Sequence, residues 1–420
     1  MNWHSDPNTS RRLFLQFLAS SPLLASVTAS YAQDGESVLR ATDPMMWGPI
    51  DPGYLLKTPL EAISAFDFEA LAHANVPPAH FGYLTTGADG ESTLRANRAD
   101  FQRFALRPYR MRDVSKVDSS IELFGQKWDS PIFVCPTSSN AAFHPDGELA
   151  VSRAAGKGKH IQMLSTVASY GIEECIAARG SPIWFQLYAT SSFEIAKSLL
   201  ARAERAGSPV AAITVDVIST RKNETQARMR RMDKRECIEC HSGPNGGGNT
   251  LAKPNYSQIT PEMFKGQVFS SSNLDWDRAR RLRDTTKMKV LLKGIMDPED
   301  AALCVKYGFD GLVISNHGGR DDDGGFSTIR ALPDIAASVN RRIPILIDSG
   351  FRRGMDIVKA LAMGATAVGV GRPYLWGLGA FGQPGVERVL EILRTEVSTA
   401  MGQAGVTQIK ELTSKMILQS

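Results

Sequence analysis

Eight short runs of aliphatic and β-branched residues, most of them followed by a helical pattern, constrain this chain more than any other feature. They are Ile132–Cys135, Ile161–Leu164, Ile183–Leu187, Ala211–Val215, Val290–Lys293, Gly311–Ile314, Ile345–Ile347 and Ala367–Val370. Amphipathic stretches such as Phe193–Ala206, Pro298–Tyr307 and Gly354–Met363 supply the crossovers. Strand alternating with helix implies a parallel sheet, and eight such units predict closure into an α/β (β/α)8 barrel. The 420 residues are 43% hydrophobic and 22% charged, enough to bury a large core in a single barrel.

The organisation around the barrel follows from composition. Residues 1–32 resemble a twin-arginine-type export signal: Arg11-Arg12 precede a moderately apolar stretch, and Ser30 and Ala32 fit a signal-peptidase site before Gln33. Gln16, Pro22 and several serines argue against a permanent membrane span, so the expected location is periplasmic. Residues 33–125 read as an N-terminal extension, an irregular lead-in followed by helices at Pro59–Ala74 and Pro77–Thr86. The barrel is assigned to 126–412, with a long insertion after its fourth strand at about 218–275. A net charge of +4, with no basic run interleaved with aromatics, excludes a nucleic-acid partner. Five cysteines are too few for a disulfide scaffold.

Catalytic groups in such barrels sit at the C-terminal ends of the strands. Here the sixth strand runs into Ser315-Asn316-His317-Gly318-Gly319-Arg320, the seventh into Asp348-Ser349-Gly350-Phe351-Arg352-Arg353-Gly354, and the eighth into Gly371-Arg372-Pro373. Glycines let backbone N–H groups approach an anion and arginine neutralises it, so the last two loops predict a phosphate site. Lys293 closes the apolar fifth strand and is expected to face an anionic group. His317 and Arg320, three residues apart in a Gly-rich turn, suit a base beside a carboxylate anchor.

From about Phe81 to Leu412 the chain resembles the FMN-dependent 2-hydroxy-acid dehydrogenases and oxidases, and the Ser315–Arg320 segment looks like their signature. The resemblance implies oxidation of a small 2-hydroxy acid to the 2-oxo acid, with electrons passed to a cytochrome, a quinone or oxygen. It gives His317 the role of base, Asp216 that of the carboxylate orienting it, and Tyr188 a place near the reacting carbon. Tyr83 and Arg320 would bind the substrate carboxylate. Pro136, Thr137 and Ser138 would line the flavin face, while Ser165, Gln186 and Thr214 would hydrogen-bond the ring. Lys293 would stabilise the reduced flavin, and Ser315, Asp348, Gly350, Arg352, Gly371 and Arg372 complete the cofactor cradle. A homo-oligomer, a tetramer in the family, is implied as well.

Four positions depart from that pattern. Asn223 stands where a second arginine is usual, with Arg221 and Lys222 as candidate replacements. Ser138 replaces Ala or Gly on the flavin-facing loop, Val167 replaces an aromatic, and Asp321-Asp322-Asp323 replaces Gln-Leu-Asp. These keep a second reading open, an FMN barrel acting on another substrate class.

Within the insertion, Cys237-Ile238-Glu239-Cys240-His241 has the spacing of a c-type haem attachment site. Met229 and Met232 are candidate sixth ligands. A Cys237–Cys240 disulfide, or a metal site completed by His241, fits the same spacing. A third reading makes the chain a redox-carrier or metal-binding protein on an inactive barrel.

Overall fold

The computed structural model describes residues 55–235, 250–269 and 272–419. The export segment and the Cys237, Cys240 and His241 cluster lie outside the described residues.

Twelve strands are present among them: β1 (Phe104–Leu106), β2 (Ile121–Leu123), β3 (Gln126–Trp128), β4 (Ile132–Val134), β5 (Ile161–Ser165), β6 (Trp184–Tyr188), β7 (Val210–Thr214), β8 (Lys289–Ile295), β9 (Gly311–Ile314), β10 (Ile345–Ile347), β11 (Ala367–Val370) and β12 (Ile417–Gln419). Strands β4 to β11 form one closed barrel in chain order, β11 pairing back onto β4 through Val368 opposite Ile132. The eight apolar runs are these eight strands, three with the same bounds and five differing by a residue or two at their ends. β8 overshoots its expected end because a bulge lies between Lys293 and Ile295. The residue between them, Gly294, has φ +117°, and a Cβ there would lie 2.8 Å from the Cβ of Asp216. Glycine is thus required for the end of β8 to pass the Asp216 loop.

The barrel interior is filled, not hollow. Phe133, Ile161, Met163, Trp184, Leu291, Val313 and Leu346 pack together inside it. The β2–β3 hairpin turns through Phe124 and Gly125, both at positive φ, as a two-residue hairpin loop requires. Phe124 sits 5.6 Å from the Trp184 ring, and Ile121, Leu123 and Trp128 join the same cluster, so the hairpin plugs the N-terminal mouth. The opposite mouth is left for chemistry.

The extension differs from its expected form. Pro59–Ala74 is not one helix but a 3-10 turn, Pro59–Glu61, then a helix at Asp67–Asn75. The Asp67 carboxylate accepts from the N–H groups of Ile63 and Ser64, which ends the turn and starts the helix afresh. Pro78–Thr85 is helical as expected, and a further helix, Ser92–Ala99, follows it. The described residues of the extension pack with those of the barrel in one compact unit. The folded body continues past 412: β12 pairs antiparallel with β1, Phe104 opposite Gln419, tying the last described strand back to the extension.

The insertion between β7 and β8 is docked where it is described. Its helix Glu224–Arg230 crosses Pro78–Thr85 so closely that a Cβ on Gly82 would lie 2.8 Å from the Cβ of Met229. Met229 is consequently buried in that contact and is not presented as a ligand, whereas Met232 is exposed. Farther along, Asn255 and Tyr256 are buried. The Asn255 amide donates to the carbonyls of Ser165 and Thr166, which holds this stretch over the end of β5.

Candidate active site

A cleft opens at the C-terminal mouth of the barrel. The sequence candidates Tyr83, Pro136, Thr137, Ser138, Tyr188 and Lys293 line it. So do His317, Arg320, Asp348, Gly350, Arg352, Gly371 and Arg372. Ser165, Gln186, Thr214 and Ser315 stand behind this lining at their strand ends, all buried. Gln186 Nε2 donates to Thr214 Oγ1 at 2.8 Å, and Gln186 Oε1 accepts from the Thr166 N–H at 3.3 Å.

His317 is the centre of the arrangement. Its backbone lies in the left-handed region, φ +57°, followed by Gly318 and Gly319 at +72° each. A non-glycine residue held there is an uncommon and costly conformation. Asn316 holds it in place: its amide exchanges hydrogen bonds with that of Asn97 at 2.8 Å in both directions and also accepts from the Gly319 N–H. The turn thus aims the imidazole across the barrel mouth. Nδ1 faces Asp216 Oδ1 at 3.0 Å, and Nε2 faces the Tyr188 hydroxyl at 3.1 Å. Burial pushes the Tyr188 phenol well above its ordinary value, so it stays protonated and can donate to the neutral ring. For His317 itself, burial pushes the value down, but the carboxylates of Asp321 and Asp216 outweigh it and the net shift is upward.

Lys293 leaves β8 fully inside the protein. Nζ donates to Ser315 Oγ at 2.9 Å and lies 3.6 Å from Asp348 Oδ2. Ser315 and Ser349 hydroxyls both donate to Asp348 Oδ1, at 2.7 and 2.8 Å. Burial works against the ammonium, yet Asp348 and then Asp216 more than compensate and raise it. A permanent cation therefore sits beside the base.

Two of the arginines expected to meet anions also brace backbone. Arg320 donates to the carbonyls of Tyr83 and Thr86, and its guanidinium lies 4.5 Å over the Tyr83 ring. Arg372 donates to the carbonyls of Leu84, Thr86 and Gly318. Both satisfy the exposed carbonyl end of the helix Pro78–Thr85, which is how the extension reaches the site. The Tyr83 hydroxyl is hydrogen-bonded to Ser138 Oγ, giving that departure from the family pattern a partner. Arg352, buried, stacks 5.0 Å over Trp376. From the helix Ser92–Ala99, Arg98 pairs with Asp356 at 2.8 Å and donates to the Gly350 carbonyl, fixing the Asp348–Gly354 loop.

FMN fits this lining. The cleft holds the cations Lys293, Arg352 and Arg372, and two helices, Gly354–Ala362 and Arg372–Phe381, begin at its loops. A Cβ on Gly371 would meet nothing closer than the Cys135 Cβ at 3.9 Å, so a side chain there would project into space that is kept clear.

Several participants escaped the sequence reading. Cys135 lines the cleft with its thiol 3.9 Å from Asp348, pushed up by burial and that carboxylate. Phe269, from the returning arm of the insertion, places its ring 4.7 Å from Tyr188; nothing in its Ser-rich surroundings marked it. Asp321 was visible only as a departure, and it lies against His317. Neither candidate for the missing second arginine replaces it: Lys222 is exposed, and Arg221 pairs with Asp321.

The comparisons agree with this geometry. The model of the family described as FMN-dependent dehydrogenase matches residues 72–419. An L-lactate oxidase of Lysinibacillus sphaericus is 39% identical over 82% of this chain and 90% of its own length. An L-lactate dehydrogenase (cytochrome) of Wickerhamomyces anomalus is 33% identical over 86% of this chain and 62% of its own. A crystal structure of mandelate oxidase superimposes with a TM-score of 0.74 at 34% identity, covering 86% of this chain and 98% of that one. With the barrel, the base and the cation-lined cleft in place, the chain belongs to the FMN-dependent dehydrogenase family, the oxidoreductases that act on 2-hydroxy acids.

Proposed function

We propose that this chain oxidises a small 2-hydroxy acid to the 2-oxo acid, with His317 as the base that takes a proton from the substrate. The observation that carries it is the line Asp216–His317–Tyr188 across the cleft, with Lys293 and Arg320 on the same lining. Arg320 and Tyr83 receive the substrate carboxylate, a bidentate guanidinium next to an aromatic hydroxyl. That contact presents the hydroxyl-bearing carbon to His317 Nε2. Tyr188, already hydrogen-bonded to Nε2, lies where the proton moves. Asp216 keeps Nδ1 protonated, so that Nε2 is the unprotonated, basic nitrogen of the neutral ring.

FMN, when bound, supplies a two-electron acceptor that hands the electrons to a cytochrome, a quinone or oxygen. Lys293 supplies a fixed positive charge where negative charge develops. Pro136, Thr137, Ser138, Ser165, Gln186 and Thr214 would hold the ring. Ser315, Asp348, Gly350, Arg352, Gly371 and Arg372 would hold the ribityl chain and phosphate. Asn223 favours a second reading. Its buried Oδ1 makes no hydrogen bond, and it stands where a further carboxylate anchor was expected, so a larger or differently substituted hydroxy acid is the alternative substrate.

The same proposal carries export to the periplasm on the Arg11-Arg12 signal, assembly as a homo-oligomer, and a redox role for Cys237, Cys240 and His241 as haem ligands, disulfide or metal site. An anaerobic visible spectrum of the natively exported protein, recorded with a panel of 2-hydroxy acids, tests it. Bleaching of the flavin band by one acid, at least about a hundredfold slower in His317→Gln, is expected. A c-type haem band in the same spectrum would select haem at the cysteines. Bound flavin that no acid bleaches, or equal rates in the variant, would overturn the reading.

A further inference from the structure

Two carboxylates, not one, meet the imidazole of His317. Asp321 Oδ2 lies 2.7 Å from Nδ1, closer than Asp216 Oδ1 at 3.0 Å. The two acids arrive from different loops, Asp216 after β7 and Asp321 from the turn that leaves β9. Asp321 does not stand alone: its other oxygen, Oδ1, is held by the Arg221 guanidinium, again from the loop after β7. The Asp321 side chain is 6% exposed and that of Arg221 is 23% exposed. A chain of contacts therefore runs Arg221–Asp321–His317–Tyr188.

This arrangement has a physical logic. Ligand atoms of Asp216, His317 and Asp321 all lie within 4.8 Å of one another. Two carboxylates so close repel, and without a cation one of them would hold a proton. Arg221 supplies that cation on the far side of Asp321, leaving the near oxygen ionised toward the ring. Nδ1 is thus hydrogen-bonded to Asp216 and lies in ion-pair contact with Asp321 from the other loop, and Nε2 is left pointing at Tyr188 and the cleft. The pair acts as a unit: Asp321 without Arg221 is a buried acid lacking its cation, and Arg221 without Asp321 is a half-buried guanidinium lacking its carboxylate.

We propose that Asp321, clamped by Arg221, is a second positioning carboxylate for His317, fixing the ring together with Asp216 and balancing the charge it gains with a proton. The proposal rests on the reading of His317 as the base. The groups that set the ring's charge are Asp216 and Asp321 at Nδ1, Tyr188 at Nε2, Lys293 nearby, and Arg221 and Arg320 beyond Asp321. Burial favours the neutral ring; Asp321 and then Asp216 oppose it more strongly.

The base must be neutral to accept a proton, so kcat/KM climbs as pH rises through its titration. Asp321→Asn removes one negative charge at nearly constant shape. The acid limb should then move to lower pH by about one unit or more, making the variant about tenfold more active relative to its plateau well below the limb. Arg221→Met removes the opposing charge and should move the limb to higher pH. Both shifts should appear in the His317 resonance of the 15N-imidazole spectrum, assigned with His317→Gln and titrated in flavin-loaded protein without substrate. Flavin content and melting temperature confirm the fold. A limb and a resonance unmoved in the variants that fold, or an equal loss of activity at every pH, would make Asp321 a bystander. If the resonance moves as stated but no hydroxy acid is turned over, the reading of the reaction fails and the contact with His317 stands.

Discussion

Replacing Lys293 by methionine tests the electrostatics of the site. Methionine keeps the length and apolar stem of the side chain but deletes the ammonium, leaving Asp348 buried without its cation. At 3.6 Å and an effective dielectric of about 20, the lost attraction is roughly 332/(20 × 3.6), or about 4.6 kcal/mol. The Ser315 and Ser349 hydroxyls still solvate the carboxylate, which brings the expected loss of stability to about 3 kcal/mol, the low end for breaking a buried pair. With a melting entropy of roughly 2.1 cal/mol/K per residue, that is a fall in Tm of about 4 °C for a barrel of this size. The assay is a double-mutant cycle of Lys293→Met, Asp348→Asn and the pair, melted after flavin removal so that altered cofactor affinity does not enter. The double variant should cost about 2 kcal/mol less than the sum of the singles, and Lys293→Met should slow substrate-driven flavin reduction by about 10²–10³ in the loaded enzyme. Additivity within about 0.5 kcal/mol would refute the coupling, and with it the claim that Lys293 and Asp348 form one charge-balanced unit.

Two further substitutions probe other parts of the structure. Gly371→Leu fills the space kept clear at the phosphate end; flavin content after purification should fall at least about tenfold while Tm stays within a few degrees, and full occupancy would show that the cofactor lies elsewhere. His160, hydrogen-bonded at Nδ1 to the Ser130 hydroxyl at 2.8 Å, is held neutral by burial and by Arg394 and Arg179, its value lowered to about 3. The unfolded chain binds a proton that the folded one refuses, so this group's stability is present above pH 6.5 and lost on acidification, by up to about 1.4 kcal/mol per pH unit down to about pH 3. His160→Gln should flatten that part of the urea-midpoint profile; an unchanged slope would mean that other groups govern acid unfolding.

The barrel was legible because its signal is repeated: eight apolar runs with helical spacers leave few other closed arrangements. The site was legible where chemistry is concentrated in short motifs, as at His317, Arg320 and Lys293. What stayed hidden depends on contacts between distant residues. Nothing local tells Arg98 to reach the Gly350 carbonyl, or Phe124 and Trp128 to plug a barrel mouth. The expected helix over Pro59–Ala74 failed for a local reason instead, because Asp67 offers its carboxylate to two N–H groups ahead of it and competes with the helix. Asp321 shows an intermediate case. Its identity stood out against the family pattern, but its role needed the loop after β7 brought alongside.

Strand β1 meets β12, and the carbonyls at the end of the Pro78–Thr85 helix meet Arg320 and Arg372. The binding face itself draws on residues from Tyr83 to Leu375, so its lining spans most of the described chain. On a ribosome adding roughly 5–20 residues per second, about 15–60 s separate the emergence of Tyr83 from that of Leu375. Until β11 emerges to pair with β4, the nascent chain carries an unsealed barrel and cannot offer the flavin a finished cradle. Cofactor capture is thus a late event in this molecule's synthesis, and the emergence of Gly371, Arg372 and Leu375 is the earliest moment at which it can become a flavoprotein.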